Sequence, residues 1–390
     1  MCNQQMNKAR AHAHHSASRR RTAQKQAKSE TSQMKKSKRL SDRYTVHWDQ
    51  LIGTGAYGEV YRAEDNVTKT KVAIKRIEKY HSNPTKSEMA ALMHIHEHGS
   101  HDHICGLKDM HLYETAEHHH LILDLVEGMD LFEHLVEFGT FREVEAKKIM
   151  LEAVSALKHL HGIGVVHGDI KPENIMLSTN DAESANNNAL LEETPDSGNA
   201  LVSFSSKIID FGSASIETKV ASSSCESGGD ESNAGKCTTH QRSFLPNGTV
   251  DYWSPERFVS LRANMELHSS VDMWAIGIVL FIMLAGVHPF DLDADASNHD
   301  FQRLLTNFLL TTQDDTDDSS SEESKAANDA YFLPIFPYLD HVSPCGIDLI
   351  RKLLEVEPTK RINAAEMLEH PWMNPQNRGF QLGRETMPAQ

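Results

Sequence analysis

Cysteine is scarce in this chain. The five that occur, Cys2, Cys105, Cys225, Cys237 and Cys345, are scattered and odd in number. That excludes a disulfide framework and predicts a reducing, intracellular setting, cytoplasmic or nuclear. No stretch approaches the roughly 18 consecutive apolar residues that a membrane span requires, and no apolar leader core precedes the first cysteines. A soluble chain without membrane contact is expected. Acidic residues are rare only at the start: Met1 to Arg43 holds just Glu30 and Asp42, while the formal net charge of the whole is −16. The acidic body argues against a nucleic-acid partner and favours basic substrates. No feature speaks for oligomerisation, so a monomer is the default.

Four segments lack the large apolar residues that bury a core. One is a basic arm, residues 1–44, with "HAHHSASRRRTAQKQAK" and "KKSKRL"; the others are acidic, Ser- and Asn-rich insertions near 178–199, 219–241 and 311–328. Each is expected to be disordered. Within the arm, Lys35 to Arg39 reads as a nuclear-localisation patch, as part of an organelle transit peptide, or as a plain solvated tail.

The remainder is long enough for two compact units. Residues 46–80 alternate apolar and polar around glycines and read as strands. "TFREVEAKKIMLEAVSALKHLHGIG" repeats apolar residues at helical spacing and stops at Gly162. "VDMWAIGIVLFIMLAG" is apolar nearly all round, which predicts a helix buried at the centre of the second unit.

Several motifs carry chemistry. "LIGTGAYGEVYRA" sets Gly53, Gly55 and Gly58 between two strand-like runs, where backbone N–H groups can approach phosphates; a simple hairpin is the alternative. A strand rather than a helix follows, which argues against a dinucleotide-binding unit. "KVAIKRI" is an alternating strand carrying Lys75, and "NPTKSEMAALMHIHEHG" reads as a helix carrying Glu88 beside Met89 and Leu92. Both charges lie among apolar neighbours, where each needs a partner. "VVHGDIKPENIML" then places an aspartate, a lysine and an asparagine in one short loop.

Taken in order, the Gly-rich loop, the V-A-I-K strand, this loop, "DFG" at Asp210 to Gly212, "SPE" at Ser254 to Glu256, and Arg361 resemble the eukaryotic protein kinase set over about residues 46–375. "KPEN" resembles the serine/threonine type. "LILDLVEGMDLFEHL", "HGDIKPENIML", "GVHPF" and "RINAAEMLEHPW" are most similar to the calcium/calmodulin-dependent group. The resemblance implies an α+β, bilobal protein kinase fold. Its N-lobe, 45–126, would be a small five-stranded antiparallel sheet with one helix. Its C-lobe, 127–375, would be mainly helical, and 376–390 a tail.

It also implies ATP and Mg2+ as cofactors and protein Ser/Thr hydroxyls as acceptors. Lys75 would hold the α- and β-phosphates and pair with Glu88, with Glu78 and Glu97 as alternatives. Asn174 and Asp210 would be the metal ligands. Asp169 would orient the acceptor hydroxyl and take its proton, and Lys171 would offset charge on the transferred group. The nucleotide would lie under Ile52, Gly53, Thr54, Gly55, Ala56, Tyr57 and Gly58. Val60, Ala73, Leu123 and Met176 would flank the base, with Asp124 to Val126 as the hinge. Thr249 is expected near Asp169 and Lys171, Glu256 against Arg361, and Asp272 under the catalytic loop.

Two departures stand out. Gly168 occupies a position where most members of this family have an arginine that pairs with an activation-loop phosphate, and Leu245 occupies the usual phosphorylated position. Activity independent of activation-loop phosphorylation is expected, with Ser243, Thr238 and Thr239 as remaining sites. Asp130, Glu133 and Glu173 match acidic positions that hold a basic residue upstream of the target. The alternative is a catalytically weak or inactive pseudokinase scaffold, and a third reading makes the acidic insertions docking segments.

Other suggestive patterns carry less. His94, His96 and His98 alternate along a helix and are not expected to share one face, which argues against a structural metal site. "DLDADASNHDFQ" has calcium-loop spacing at Asp291, Asp293 and Asp295, but Ala296 and Gln302 stand where Gly and Glu are required. Cys225 and Cys237 read as free thiols.

Overall fold

The computed structural model describes residues 39–55, 58–179, 204–217, 248–258, 268–290 and 336–374. Most of the basic arm, most of the first acidic insertion and all of the other two lie outside these residues. So do Ala56, Tyr57, Cys225, Cys237, Leu245, the loop at Asp291 to Asp295, and the tail.

A short helix α1 (Leu40–Arg43) leads into β1 (Tyr44–Gly55), β2 (Gly58–Asp65) and β3 (Lys71–Glu78). Helix α2 (Ser82–His98) follows, then β4 (Tyr113–Glu114) and β5 (His118–Asp124). These strands form one sheet in the order β1-β2-β3-β5-β4, antiparallel throughout. Because side chains alternate across a strand, β3 serves two cores. Val72 and Ile74 join Tyr44, Ala63, Tyr113 and Ile122 on one face. Ile77 faces the opposite way with Leu121, toward Met89, Leu92 and Ile95 of α2. Lys75 lies on this second face by parity, so the strand itself aims it at the helix.

The rest is mainly helical. It comprises β6 (Met129–Asp130), α3 (Leu131–Phe138), α4 (Glu143–Gly162), β7 (Val165–Val166), β8 (Ile175–Thr179), β9 (Phe204–Ile208), β10 (Ser215–Ile216), α5 (Ser270–Ala285), α6 (Pro344–Leu353) and α7 (Ala364–Glu369). Two small sheets, β6-β8-β9 and β10-β7, accompany the helices. Helix α5 is buried on every side, including Trp274, Ile276 and Phe281. Side chains of that size each contribute about 1.5–3 kcal/mol on burial. One carboxylate, Asp272, shares that burial at 1% exposure, and it is the group that holds the catalytic loop. The expected bilobal kinase architecture is the one observed.

Two of the histidines of α2 pair with each other. His94, His96 and His98 do not share one face as a set, but His94 and His98 do: their rings lie 4.0 Å apart, because residues four apart in a helix are surface neighbours. His94 Nε2 is 2.9 Å from the Ile163 carbonyl and His98 Nδ1 2.8 Å from the His94 carbonyl, so both rings serve packing. Among the described residues, no cluster of three His, Cys, Asp or Glu side chains is placed to hold a metal, and no helix is long and apolar enough to cross a membrane.

Candidate active site

The glycine motif is the tip of the β1–β2 hairpin, with Gly55 opposite Gly58 and Gly53 opposite Val60. Gly58 has no room for a side chain, since a Cβ there would stand 2.2 Å from the Arg76 carbonyl oxygen. The hairpin tip faces Asp210: a Cβ on Gly55 would lie 4.0 Å from Asp210 Oδ2. Ile52 and Thr54 are exposed on the hairpin. Behind it, Val60 pairs with Lys75, Ala73 with Leu123, and Met176 with Asp130, so the four slot residues lie on four strands, β2, β3, β5 and β8. Asp124 is pinned at the back: its N–H donates to the Gly106 carbonyl, and its carboxylate accepts from the Gly106 N–H at 2.9 Å and from Lys108 Nζ at 2.6 Å. Val126 is half-buried beyond it.

Lys75 Nζ meets two carboxylates, Glu88 Oε1 and Asp210 Oδ1, each at 2.7 Å. Glu88 is 2% exposed, and Glu78 and Glu97 are exposed at the ends of their elements. The short spacing between Lys75 and Glu88 works because only a single 3-10 turn, Lys79–His81, separates β3 from α2. Burial alone would lower the Lys75 pKa, but Glu88 and Asp210 outweigh it and hold the ammonium above the ordinary lysine range. Burial would raise Asp210; the Lys75 charge, its hydrogen bond and the Gly212 N–H reverse this and keep the group ionised. Asp210 adopts φ +61, an unusual conformation for a residue with a side chain. Its neighbour Ile209 is held through its carbonyl by His167 Nε2 at 3.0 Å.

The catalytic loop runs from β7 to β8. Asp272 accepts the N–H of His167 at 2.9 Å and of Gly168 at 2.8 Å, with His161 Nε2 at 2.9 Å. Burial pushes Asp272 up, but the hydrogen bond and charge of His161 outweigh it, so the carboxylate stays ionised beneath the loop. Asp169 Oδ1 accepts the Thr249 N–H at 2.7 Å, and Lys171 Nζ lies 2.7 Å from Thr249 Oγ1 and 3.4 Å from Asp169 Oδ2. Asn174 Nδ2 donates to the Asp169 carbonyl at 2.7 Å and to Oδ2 at 3.2 Å, which leaves the amide oxygen of Asn174 free to act as a ligand. Farther off, Arg361 grips Glu256 with two bonds, at 2.5 and 3.0 Å.

Some site residues were not evident from sequence. His161 gives no sign of meeting Asp272 across 111 positions. Arg257, in "SPERF", belongs to no motif singled out above, yet it is 6% exposed and donates to the Gly168 carbonyl. Conversely, Asp130 and Glu133 form a reciprocal cap at the start of α3, so each already has a structural task.

Residues 46–373 match the protein kinase domain family. Serine/threonine-protein kinase PKZ1 of Phytophthora infestans is 32% identical over 332 residues, covering 83% of this chain and 69% of that protein. Calcium/calmodulin-dependent protein kinase type II of Schizosaccharomyces pombe is 29% identical over 340 residues, covering 83% of this chain and 56% of that protein. The solved structure of Rad53 1–466 in complex with AMP-PNP aligns with a TM-score of 0.55 at 22% identity, covering 86% of this chain and 66% of that one; that likeness bears on the fold alone.

Proposed function

This chain belongs to the protein kinase family and is an ATP-using serine/threonine protein kinase, and we propose that its turnover is carried by Asp169, Lys171, Asn174, Asp210 and Lys75. The observation that supports this most is the closed Lys75–Glu88–Asp210 cluster, 2.7 Å on both sides, facing the loop that holds Asp169.

The residues fit magnesium. Asp210 Oδ2 faces the hairpin tip, the Asn174 amide oxygen is freed by the two bonds its nitrogen makes, and both are hard oxygen donors. When bound, the metal supplies charge neutralisation on the phosphates. The chain does the rest. Lys75 presents its ammonium at a fixed point, Asp169 is oriented to accept the proton of the acceptor hydroxyl, and Lys171 places a cation beside it. No covalent step on the enzyme is required, because phosphoryl transfer is catalysed by positioning and charge.

The preferred substrate is a protein segment with a basic residue upstream of the target Ser or Thr. Glu173 supports this reading most directly: its Oε2 has no hydrogen-bond partner among the described residues, so turning that oxygen toward an incoming guanidinium or ammonium breaks no hydrogen bond there. Asp130 and Glu133 would contribute less, being committed to their cap. The motifs and the identity to the Schizosaccharomyces pombe kinase support a place near the calcium/calmodulin-dependent group. Scattered cysteines support an intracellular location.

The test is transfer of the γ-phosphate from ATP with magnesium to a peptide library, comparing wild type with Asp169→Asn. Turnover lost in the variant and enriched on peptides with upstream Arg or Lys is expected. Wild-type transfer no greater than Asp169→Asn would favour the scaffold reading instead.

A further inference from the structure

Gly168 leaves the position next to Asp169 without a side-chain cation, and the space beside it holds Arg257. This side chain follows Glu256 directly and lies over the ring of Trp253, 4.5 Å from its centre. Its Nη1 donates to the Gly168 carbonyl at 2.5 Å. The N–H of Gly168 is taken by Asp272 Oδ1 at 2.8 Å, so this residue is clamped on one side by a carboxylate of α5 and on the other by a guanidinium. It sits at φ +74, a conformation open to glycine and costly for an arginine.

The same guanidinium faces Gly248, just before the "SPE" motif. A Cβ on Gly248 would lie 3.1 Å from Arg257 Nη2, 3.1 Å from Asp169 Oδ1 and 2.9 Å from the Gly168 carbonyl oxygen. One residue on, the Thr249 N–H donates to Asp169 Oδ1. A buried cation needs counter-charge and hydrogen bonds, and Asp272 and Asp169 both favour its charged form. Burial lowers the Arg257 pKa to about 10, so it remains a cation at neutral pH.

We propose that Arg257 is a positioning residue that stands in for the missing loop arginine. Fixed to the Gly168 carbonyl and packed against Gly248, it holds Thr249 on Asp169, so the folded chain orients the Asp169 carboxylate without a phosphate. The proposal deepens the kinase reading above and rests on it. An arginine at position 168 would need a modified partner; Arg257 finds its acceptor and counter-charges within the fold.

The experiment compares wild type, Arg257→Lys and Arg257→Gln by kcat, KM for ATP, and hydrogen exchange of the Thr249 amide. The glutamine variant is expected to lose about tenfold or more in kcat with KM for ATP changed less than about twofold, and to expose the Thr249 amide to exchange. The lysine variant, which keeps a cation within reach, is expected to retain about a third or more of kcat and the amide protection. A glutamine variant with kcat within about twofold of wild type, or with the Thr249 amide still protected, overturns the proposal. If the glutamine variant does not fold, the lysine variant decides: retained kcat and protection support the proposal, and loss of either overturns it. A wild type without turnover removes the kinase reading alone, and the exchange of Thr249 in the three proteins still tests Arg257.

Discussion

Lys75 and Glu88 are thirteen positions apart in the chain and 2.7 Å apart in space. The strand parity of β3 and the immediate start of α2 bring them together, and Asp210 completes the cluster from the far side of the cleft. Removing the Glu88 charge leaves a buried ammonium with one carboxylate, free to swing toward Asp210. Glu88→Gln is expected to lower kcat/KM for ATP about tenfold to a hundredfold, while Glu78→Gln and Glu97→Gln, both exposed, stay within about twofold. Steady-state kinetics on the three variants checks this.

Gly248 has no space for a methyl group. Its φ is +100, and the three atoms around its missing Cβ belong to Gly168, Asp169 and Arg257, the nearest at 2.9 Å. Neither a backbone carbonyl nor a clamped guanidinium can yield cheaply. Gly248→Ala is expected to displace Asp169 by a fraction of an ångström or more and reduce kcat by about a hundredfold, with ATP affinity nearly retained because the three atoms nearest the new methyl belong to Gly168, Asp169 and Arg257 and none to the Lys75 cluster. Measuring kcat beside equilibrium nucleotide binding separates the two effects.

Much of the site was legible because its chemistry is local in sequence. "KVAIKRI" declares a strand by alternation, and "VDMWAIGIVLFIMLAG" declares a buried helix by its unbroken apolarity. What escaped was written in pairs distant along the chain. Arg257 looks exposed until Trp253 and Gly168 close around it, and His161 looks like one more histidine until Asp272 arrives from α5. His94 and His98 meet because a helix pairs residues four apart, a relation that the every-second-residue run of three histidines hides. Composition carries no information about such meetings; packing decides them.

Phosphatase treatment of the purified protein is expected to leave its activity within about twofold of the untreated value. Asp169 is oriented by Thr249, Lys171 and Asn174, and the loop glycine offers no guanidinium for a phosphate to bind. A near-total loss of activity would show that a phosphorylated side chain contributes an orienting contact after all. The comparison is made with matched amounts of protein on one basic peptide.

Glu143 ties three elements of the helical lobe together at the start of α4. It accepts from the Ser343 N–H, from Ser343 Oγ at 2.8 Å and from Trp372 Nε1 at 2.8 Å, and Trp372 is 2% exposed. Replacing it with alanine leaves the indole N–H buried without an acceptor, at a cost of about 1–3 kcal/mol. The melting temperature should fall by several degrees at neutral pH. Burial raises this carboxyl, but the hydrogen bonds from Ser343 and Trp372 outweigh it, so the folded protein holds Glu143 below its ordinary range. Its contribution is therefore complete above the unfolded glutamate pKa of about 4.3 and is lost as the pH falls through the lower folded value. Thermal unfolding of wild type and Glu143→Ala should accordingly converge on acidification below that point, and a gap that stayed constant down to full protonation would mean that the carboxylate charge is not what joins Ser343 to Trp372.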